Sequence, residues 1–200
     1  MNFEFSEEQK FIQDQARNFL SQQCSAVQVR EILDSEHSYH RGLWQQMVEL
    51  GWTGMAIPEA YGGLGLGYLE LCVIAEELGR ALAPVPFSSS VYLATEALLL
   101  AGSEAQKNHY LPGLASGEII ATLATAEGLG QLQVAATVSD GELNGTKVPV
   151  PDGAIADVII VLARGEDGAN SLYIVDSDDK TVTPSELNSL DPSRGQARLV

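Results

Sequence analysis

Apolar residues recur every third or fourth position through the first 117 residues and every second position after that, so the chain reads as helices followed by strands. Ser6-Glu7-Glu8-Gln9 has the form of a capping box, in which the Ser oxygen accepts from a backbone N–H and the Gln side chain reaches back. It opens a stripe of Phe11, Ile12, Ala16, Phe19 and Leu20, which predicts a first helix to about Cys24. Leu43, Trp44, Met47, Val48 and Leu50 make another amphipathic stretch, and Gly51 supplies a residue able to take the left-handed conformation that closes a helix. Residues 57–67, Ile-Pro-Glu-Ala-Tyr-Gly-Gly-Leu-Gly-Leu-Gly, break all periodicity and read as an ordered loop. Residues 68–82 and 88–100 are helical again, separated by Ala83-Pro84-Val85-Pro86. Ser103-Glu104-Ala105-Gln106 is a second capping box, starting a short helix expected to stop before Pro112.

From Ile119 the texture changes to short β-type runs at 119–125, 133–138, 142–149, 158–163 and 171–175, with another starting at Ala197. Asp140-Gly141 and Asn144-Gly145 are hairpin dipeptides, and residues 165–170 form a solvated loop between two strands. The expected fold class is therefore α+β: an all-α N-terminal domain over residues 1–117, then an antiparallel β-barrel or sandwich over residues 118–200. Leu199 and Val200 resemble the interior of a strand, so this second domain is expected to be incomplete.

Charge narrows the partners. Eleven Lys and Arg stand against twenty-seven Asp and Glu, for a net charge of −16 with no basic tract, which argues against nucleic acid and anionic membrane surfaces. No apolar run reaches the length of a membrane span, and the N-terminus lacks the pattern of a secretory leader, so the chain reads as cytoplasmic. Cys24 and Cys72 have neither disulfide-framework nor metal-type spacing and read as small buried or half-buried side chains.

Few residues nominate chemistry by themselves. Gly63, Gly65 and Gly67 do not fit G-x-G-x-x-G and follow no strand, and no P-loop pattern occurs. Asp176-Ser177-Asp178-Asp179 lacks the Gly and distal Glu of a calcium loop and reads as a solvated turn. His37, His40 and His109 are scattered near helix ends, where surface or capping roles are expected, and no metal site is nominated.

Several segments in order nevertheless resemble one family, the flavin-dependent acyl-CoA dehydrogenases. Residues 3–9 are similar to that family's first-helix opening, and Leu50-Gly51-Trp52 through Pro58-Glu59-Ala60-Tyr61-Gly62-Gly63-Leu64-Gly65 to its helix-to-loop motif. Glu76-Glu77-Leu78-Gly79-Arg80 continues the likeness. Residues 111–118 resemble the segment leading into the β-domain, and Leu143-Asn144-Gly145-Thr146-Lys147 with Ala156-Asp157 the hairpin that follows.

The resemblance implies a helical domain, a middle β-domain and a C-terminal four-helix domain that carries the catalytic glutamate; residues 1–200 are expected to hold the first two and not the third, so no catalytic residue is nominated. It implies FAD as cofactor, an acyl-CoA thioester as substrate, an electron-transfer acceptor, and assembly as a homo-oligomer or as a heteromer with a related subunit. Carried over residue by residue, the flavin contacts fall on Leu123, Thr125, Ala126, Glu127, Pro149 and Pro151. At two places the sequence departs from the family pattern: Thr125-Ala126-Glu127 stands where a Thr-Glu pair is usual, and Val148-Pro149-Val150-Pro151 where Trp-Ile-Ser/Thr is usual. Three readings follow: part of a dehydrogenase, a non-catalytic partner subunit of a heteromeric dehydrogenase, or an acyl-CoA binding module without redox chemistry. Glu59 and Glu127 are carboxylates in motif positions, for which solvated or loop-capping roles are expected.

Overall fold

The computed structural model describes residues 4–36, 38–128, 130 and 133–200. Packing divides the chain into two units, residues 1–85 with 115–117, and residues 86–114 with 118–200.

The first unit is helical. Helix α1 (Glu7–Gln23) opens with the expected capping box, Ser6 Oγ accepting from the Gln9 N–H at 3.2 Å and Gln9 Oε1 from the Ser6 N–H at 3.0 Å. Helix α2 (Ala26–Leu33), which the pattern of apolar positions did not announce, begins with the same chemistry at Ser25 and Gln28 and buries only Val29. Helix α3 (Arg41–Glu49) buries Leu43, Trp44 and Met47; His40 caps it, its Nδ1 accepting from the Leu43 N–H at 3.1 Å. His40 thus has the capping role expected of it, whereas His37 lies outside the described residues. Helix α4 (Tyr68–Ala81) buries Leu71, Val73, Ile74 and Leu78 and packs along α1. It ends at Leu82 in the left-handed region (φ +52°), where the Ala83 N–H reaches back to the Leu78 carbonyl at 3.1 Å. Of the two cysteines, Cys24 is buried as expected and Cys72 is exposed, because it lies off the apolar stripe of α4.

The loop between α3 and α4 is ordered, as its composition suggested. The N–H groups of Leu64, Gly65 and Leu66 donate to the carbonyls of Gly54, Ile57 and Met55, each at 2.9 Å. Gly63 lies so close to the Ile57 carbonyl oxygen that a Cβ there would overlap it. Glu59 opens a 3-10 turn (Glu59–Tyr61) and is exposed.

In the second unit the expected helix at 88–100 is a π-helix (Ser88–Thr95) running into α5 (Glu96–Ala101), with the Thr95 hydroxyl donating to the Ser90 carbonyl five residues back at 2.8 Å. Helix α6 (Glu104–Ala115) does not stop at Pro112 but continues through it. The proline removes one backbone bond near the helix end, while buried Leu111 and Leu114 on either side hold the last turn in place.

Among the described residues eight strands follow: β1 (Ala121–Ala124), β2 (Thr137–Ser139), β3 (Glu142–Asn144), β4 (Lys147–Pro151), β5 (Val158–Arg164), β6 (Asn170–Asp176), β7 (Pro184–Glu186) and β8 (Gln196–Leu199). One sheet has the order β1-β5-β2-β3 with β6 also on β5, and the second has the order β4-β8-β7. The α+β class holds, but the sheets are not the expected uniformly antiparallel barrel or sandwich: β1 and β2 both run parallel to β5. The almost unbroken apolar run of β5, buried at Val158, Ile159, Ile160, Val161 and Ala163, suits a central strand with neighbours on both edges.

The run at 142–149 splits into β3 and β4, which belong to different sheets. Asp140-Gly141 is the hairpin turn, both residues at positive φ (53° and 79°), but Asn144-Gly145 is instead the crossing from the first sheet to the second. At that crossing a Cβ on Gly145 would lie 2.6 Å from the Ala136 Cβ. Ala124, Val150, Ala156, Ile159, Val161, Ala197 and Leu199, drawn from both sheets, form the core. Helical residues 86–114, assigned by sequence pattern to the N-terminal domain, pack with these sheets, the π-helix lying against β1 where the Ala121 N–H donates to Ser90 Oγ at 3.3 Å.

Candidate functional site

The candidate site is built where β1 leaves its sheet and meets β4. Asp157 anchors the start of β1: its Oδ2 accepts from the Ile120 N–H at 2.8 Å, and its own N–H donates to the Ile120 carbonyl at 2.7 Å. At the other end the Thr122 hydroxyl donates to the Pro151 carbonyl at 2.6 Å and the Val148 N–H to the Ala126 carbonyl at 2.8 Å, with Glu127 and Val148 forming a parallel bridge. Leu123, Thr125, Ala126 and Glu127 therefore lie on one segment and Pro149 and Pro151 on the segment beside it. The two segments that carry the six residues of the family pattern thus lie side by side and form the candidate wall.

The chemistry of that wall is sparse. Thr125 and Pro149 are exposed, while Leu123, Ala126 and Pro151 are half-buried. Pro149, which follows a cis peptide bond, and Pro151 have no N–H to offer. The Val148 N–H is already used by Ala126, and Val150 is paired with Ala197 of β8. Side-chain hydrogen bonding to a ligand here rests on the Thr125 hydroxyl, set among apolar prolines and Leu123.

Glu127 faces away from solvent. Its Oε1 accepts from Lys147 Nζ at 2.5 Å and from the Ala136 N–H at 3.0 Å, while Oε2 accepts from the Ala135 N–H at 2.6 Å. Only 6% of the Glu127 side chain and 4% of the Lys147 side chain remain exposed. Burial pushes the Glu127 carboxyl up, but the Lys147 ammonium and the two backbone donors outweigh it and hold the group below its ordinary value. The loop-capping role expected of Glu127 is present and the solvated one is not. Lys147 went unrecognised as its partner, although it is the only lysine between residues 108 and 179 and stands at the head of an otherwise uncharged strand.

Asp152, just past β4, is a second buried carboxyl, held in the left-handed region at φ +52°. Ser89 Oγ lies 2.6 Å from its Oδ2 and 3.0 Å from the Pro86 carbonyl oxygen. Burial pushes the Asp152 carboxyl above its ordinary value, against the smaller opposing effects of Ser89, Arg194 and Gly195. Between the two sheets runs an open groove lined by Val138, Leu143, Ile159, Val161 and Leu199, with Lys147 among its polar residues. None of the six carried-over residues lines it. Asp176-Ser177-Asp178-Asp179 forms the expected turn, with Asp179 Oδ1 accepting from the Thr181 N–H at 2.9 Å. Among the described residues, no three His, Cys, Asp or Glu side chains are grouped to hold a metal ion, and no helix is long and apolar enough to cross a membrane.

Residues 6–118 match the family described as acyl-CoA dehydrogenase, N-terminal domain. The mitochondrial isovaleryl-CoA dehydrogenase of Pongo abelii is 38% identical over 169 residues, which take in 80% of this chain and 40% of that protein. Among solved structures, an acyl-CoA dehydrogenase complexed with FAD from Bacillus anthracis is similar with a TM-score of 0.85 at 31% identity, over 98% of this chain and 36% of that one. The ChsE4-ChsE5 complex from Mycobacterium tuberculosis contains a chain matched with a TM-score of 0.88 at 28% identity, over 100% of this chain and 55% of that one. The chain belongs to the acyl-CoA dehydrogenase family, and it spans about 40% of the length of the curated relative it matches here.

Proposed function

We propose that residues 1–117 and 118–200 are the helical and β-domain parts of an FAD-dependent acyl-CoA dehydrogenase, and that the wall formed by β1 and β4 is its flavin face. The observation that carries this reading is the pair of bonds Thr122–Pro151 and Ala126–Val148, which sets Leu123, Thr125, Ala126 and Glu127 beside Pro149 and Pro151. The residues fit a large planar heterocycle in kind: two prolines and Leu123 give it an apolar surface, and Thr125 offers a hydroxyl at the edge. FAD, when bound, supplies the acceptor for the hydride that leaves the β carbon of an acyl-CoA thioester, while a carboxylate base takes the α proton.

This chain's own residues bind and orient. They exclude water from one side of the ring through the prolines, and they fix the Thr125 hydroxyl through the β1–β4 joints. The base is assigned to none of them. Glu127 is wrapped by three donors and held ionised, and Glu59 lies exposed in its turn, so the proton acceptor is expected from a C-terminal helical domain. Titrating the purified chain with FAD and recording the visible spectrum of the desalted protein tests the reading. Near-stoichiometric flavin that is released on heating supports it, and a folded protein that retains none overturns it.

A second reading, a partner subunit that completes the site of an active homologue, is favoured by one observation: Pro149 and Pro151 take two backbone donors out of β4, and the Val148 N–H is used by Ala126. It also suits the likeness to a chain of the ChsE4-ChsE5 complex. Co-purification of a second acyl-CoA dehydrogenase-like chain is the expected result under this reading, and a self-sufficient flavin-loaded homo-oligomer sinks it.

A further inference from the structure

We infer that Glu127 and Lys147 are a positioning pair, a clamp that holds the two nominated flavin-contact segments against each other. The inference rests on the reading of the β1–β4 wall as the flavin face and goes beyond it by assigning the residues that set its geometry. Every nominated contact lies on 123–127 or on 149–151. Glu127 closes the first segment, and Lys147 stands two residues before Pro149. Their ion pair, 2.5 Å long and sealed from water, joins those segments through side chains where the Ala126–Val148 bond joins them through backbone.

The same carboxylate does a second thing. By accepting from the N–H groups of Ala135 and Ala136, it ties that pair of residues to the stretch that follows β1. These residues are gripped from other directions as well. The Arg164 N–H donates to the Ala136 carbonyl at 2.9 Å and Arg164 Nη2 to the Val134 carbonyl at 3.0 Å, while Gly145 approaches Ala136 so closely that no side chain fits between them.

Glu127 therefore meets three donors with its two oxygens, each donor from a different residue, and Lys147 brings the only charge among them. Removing the ammonium leaves a sealed carboxylate with two amide donors and without its cation. In a dry environment such a group draws in water or a proton, and either event loosens its hold on both segments. Glu127 is itself one of the six carried-over residues, but its carboxylate is taken up by Lys147 and two amides, so the pair acts on flavin through Thr125, Ala126 and Pro149 as a positioning device and not a catalytic one.

The test uses the full chain with FAD as the probe. Lys147→Met is expected to raise the FAD dissociation constant by at least about tenfold, the loss that goes with one hydrogen bond to a charged group. Amide exchange at Ala135, Ala136 and Val148 is expected to speed up, while the α1 and α4 amides stay as slow as before. Lys147→Arg, which keeps the cation, is expected to restore both. If Lys147→Met fails to fold, Glu127→Gln with Lys147→Met removes both charges in isosteric form and carries the same two readouts. A folded variant that binds FAD as tightly as the parent overturns the clamp. If the parent itself takes up no FAD, the flavin reading fails first, and exchange alone then decides: faster exchange confined to those three amides supports the clamp, and unchanged exchange overturns it.

Discussion

Each unit of this chain buries a carboxylate against cations, and the two solve the problem differently. In the helical unit, Glu77 of α4 is fully buried, but its partners Arg17 of α1, at 2.6 Å, and Arg80, at 2.7 Å, are each nearly half exposed. The arginine hydrogen bonds hold the Glu77 carboxyl below its ordinary value, Arg17 foremost, while the guanidinium groups keep contact with water. In the sheet unit, Glu127 and Lys147 are both sealed. The first arrangement keeps its cations in contact with solvent, and with either arginine removed the carboxylate still has the other. The second has no solvent to fall back on, which is why its disruption is expected to spread to the wall beside it.

Four experiments test that contrast, from the largest effect to the smallest. Glu127→Ala strands a buried ammonium and is expected to cost about 3–5 kcal/mol of stability, read as a lower urea midpoint. A loss under about 1 kcal/mol means that Lys147 reaches solvent and the two ion pairs are alike. Glu77→Gln leaves both arginines free to turn to water and is expected to cost only about 1–2 kcal/mol in the same titration. Ser25→Ala, which removes the cap of α2 without touching any ion pair, is expected to cost about 1 kcal/mol and to speed amide exchange in α2 alone.

The fourth experiment uses pH. For Glu127 and Glu77 the folded carboxyl lies below its unfolded value, so their contribution is present above about pH 4.3, the ordinary Glu value, and is lost as pH falls through the folded value. Asp152 has the opposite sign. Its folded carboxyl lies above the ordinary Asp value of about 3.9, so its contribution is present below that pH and declines as pH rises toward the raised folded value. Asp152→Asn has no proton to lose, and Asn accepts the left-handed conformation at this position. The variant is expected to be up to about 1 kcal/mol more stable than the parent at neutral pH, with the difference closing below about pH 4. A thermal-melt series across that range measures it, and a variant that is less stable at every pH shows that Asp152 is ionised in the fold.

The helical unit was largely legible in the sequence because its determinants are local. α1, α3 and α4 declare themselves by apolar residues three and four apart, and α1 and α3 also carry a capping side chain within four residues. α2 was missed because it buries only Val29, though Ser25 and Gln28 carry the same capping chemistry as Ser6 and Gln9. The sheet unit was legible as strands but not as sheets. Runs of β-branched and apolar residues mark β5 and β6, yet nothing in a strand's own residues says that β1 lies parallel to β5 or that the chain changes sheet at Gly145. β7, three exposed residues beginning with a proline, has no pattern to read. The six wall residues were reached through family resemblance, whereas Lys147 stayed hidden because its partner lies twenty positions away on a neighbouring segment.

Ser89 carries one hydrogen and faces two acceptors, Asp152 Oδ2 and the Pro86 carbonyl. With an ionised aspartate the single hydrogen is shared between the two acceptors, with the shorter contact to Asp152. With a protonated aspartate the count balances: Asp152 donates to Ser89, Ser89 donates to Pro86, and a relay of two bonds runs from the turn after β4 to the residue that begins the unit. A carboxyl pushed up by burial thus ties a proton to the joint between a helix start and a strand end, and the Asp152→Asn melt series reads whether the fold holds it.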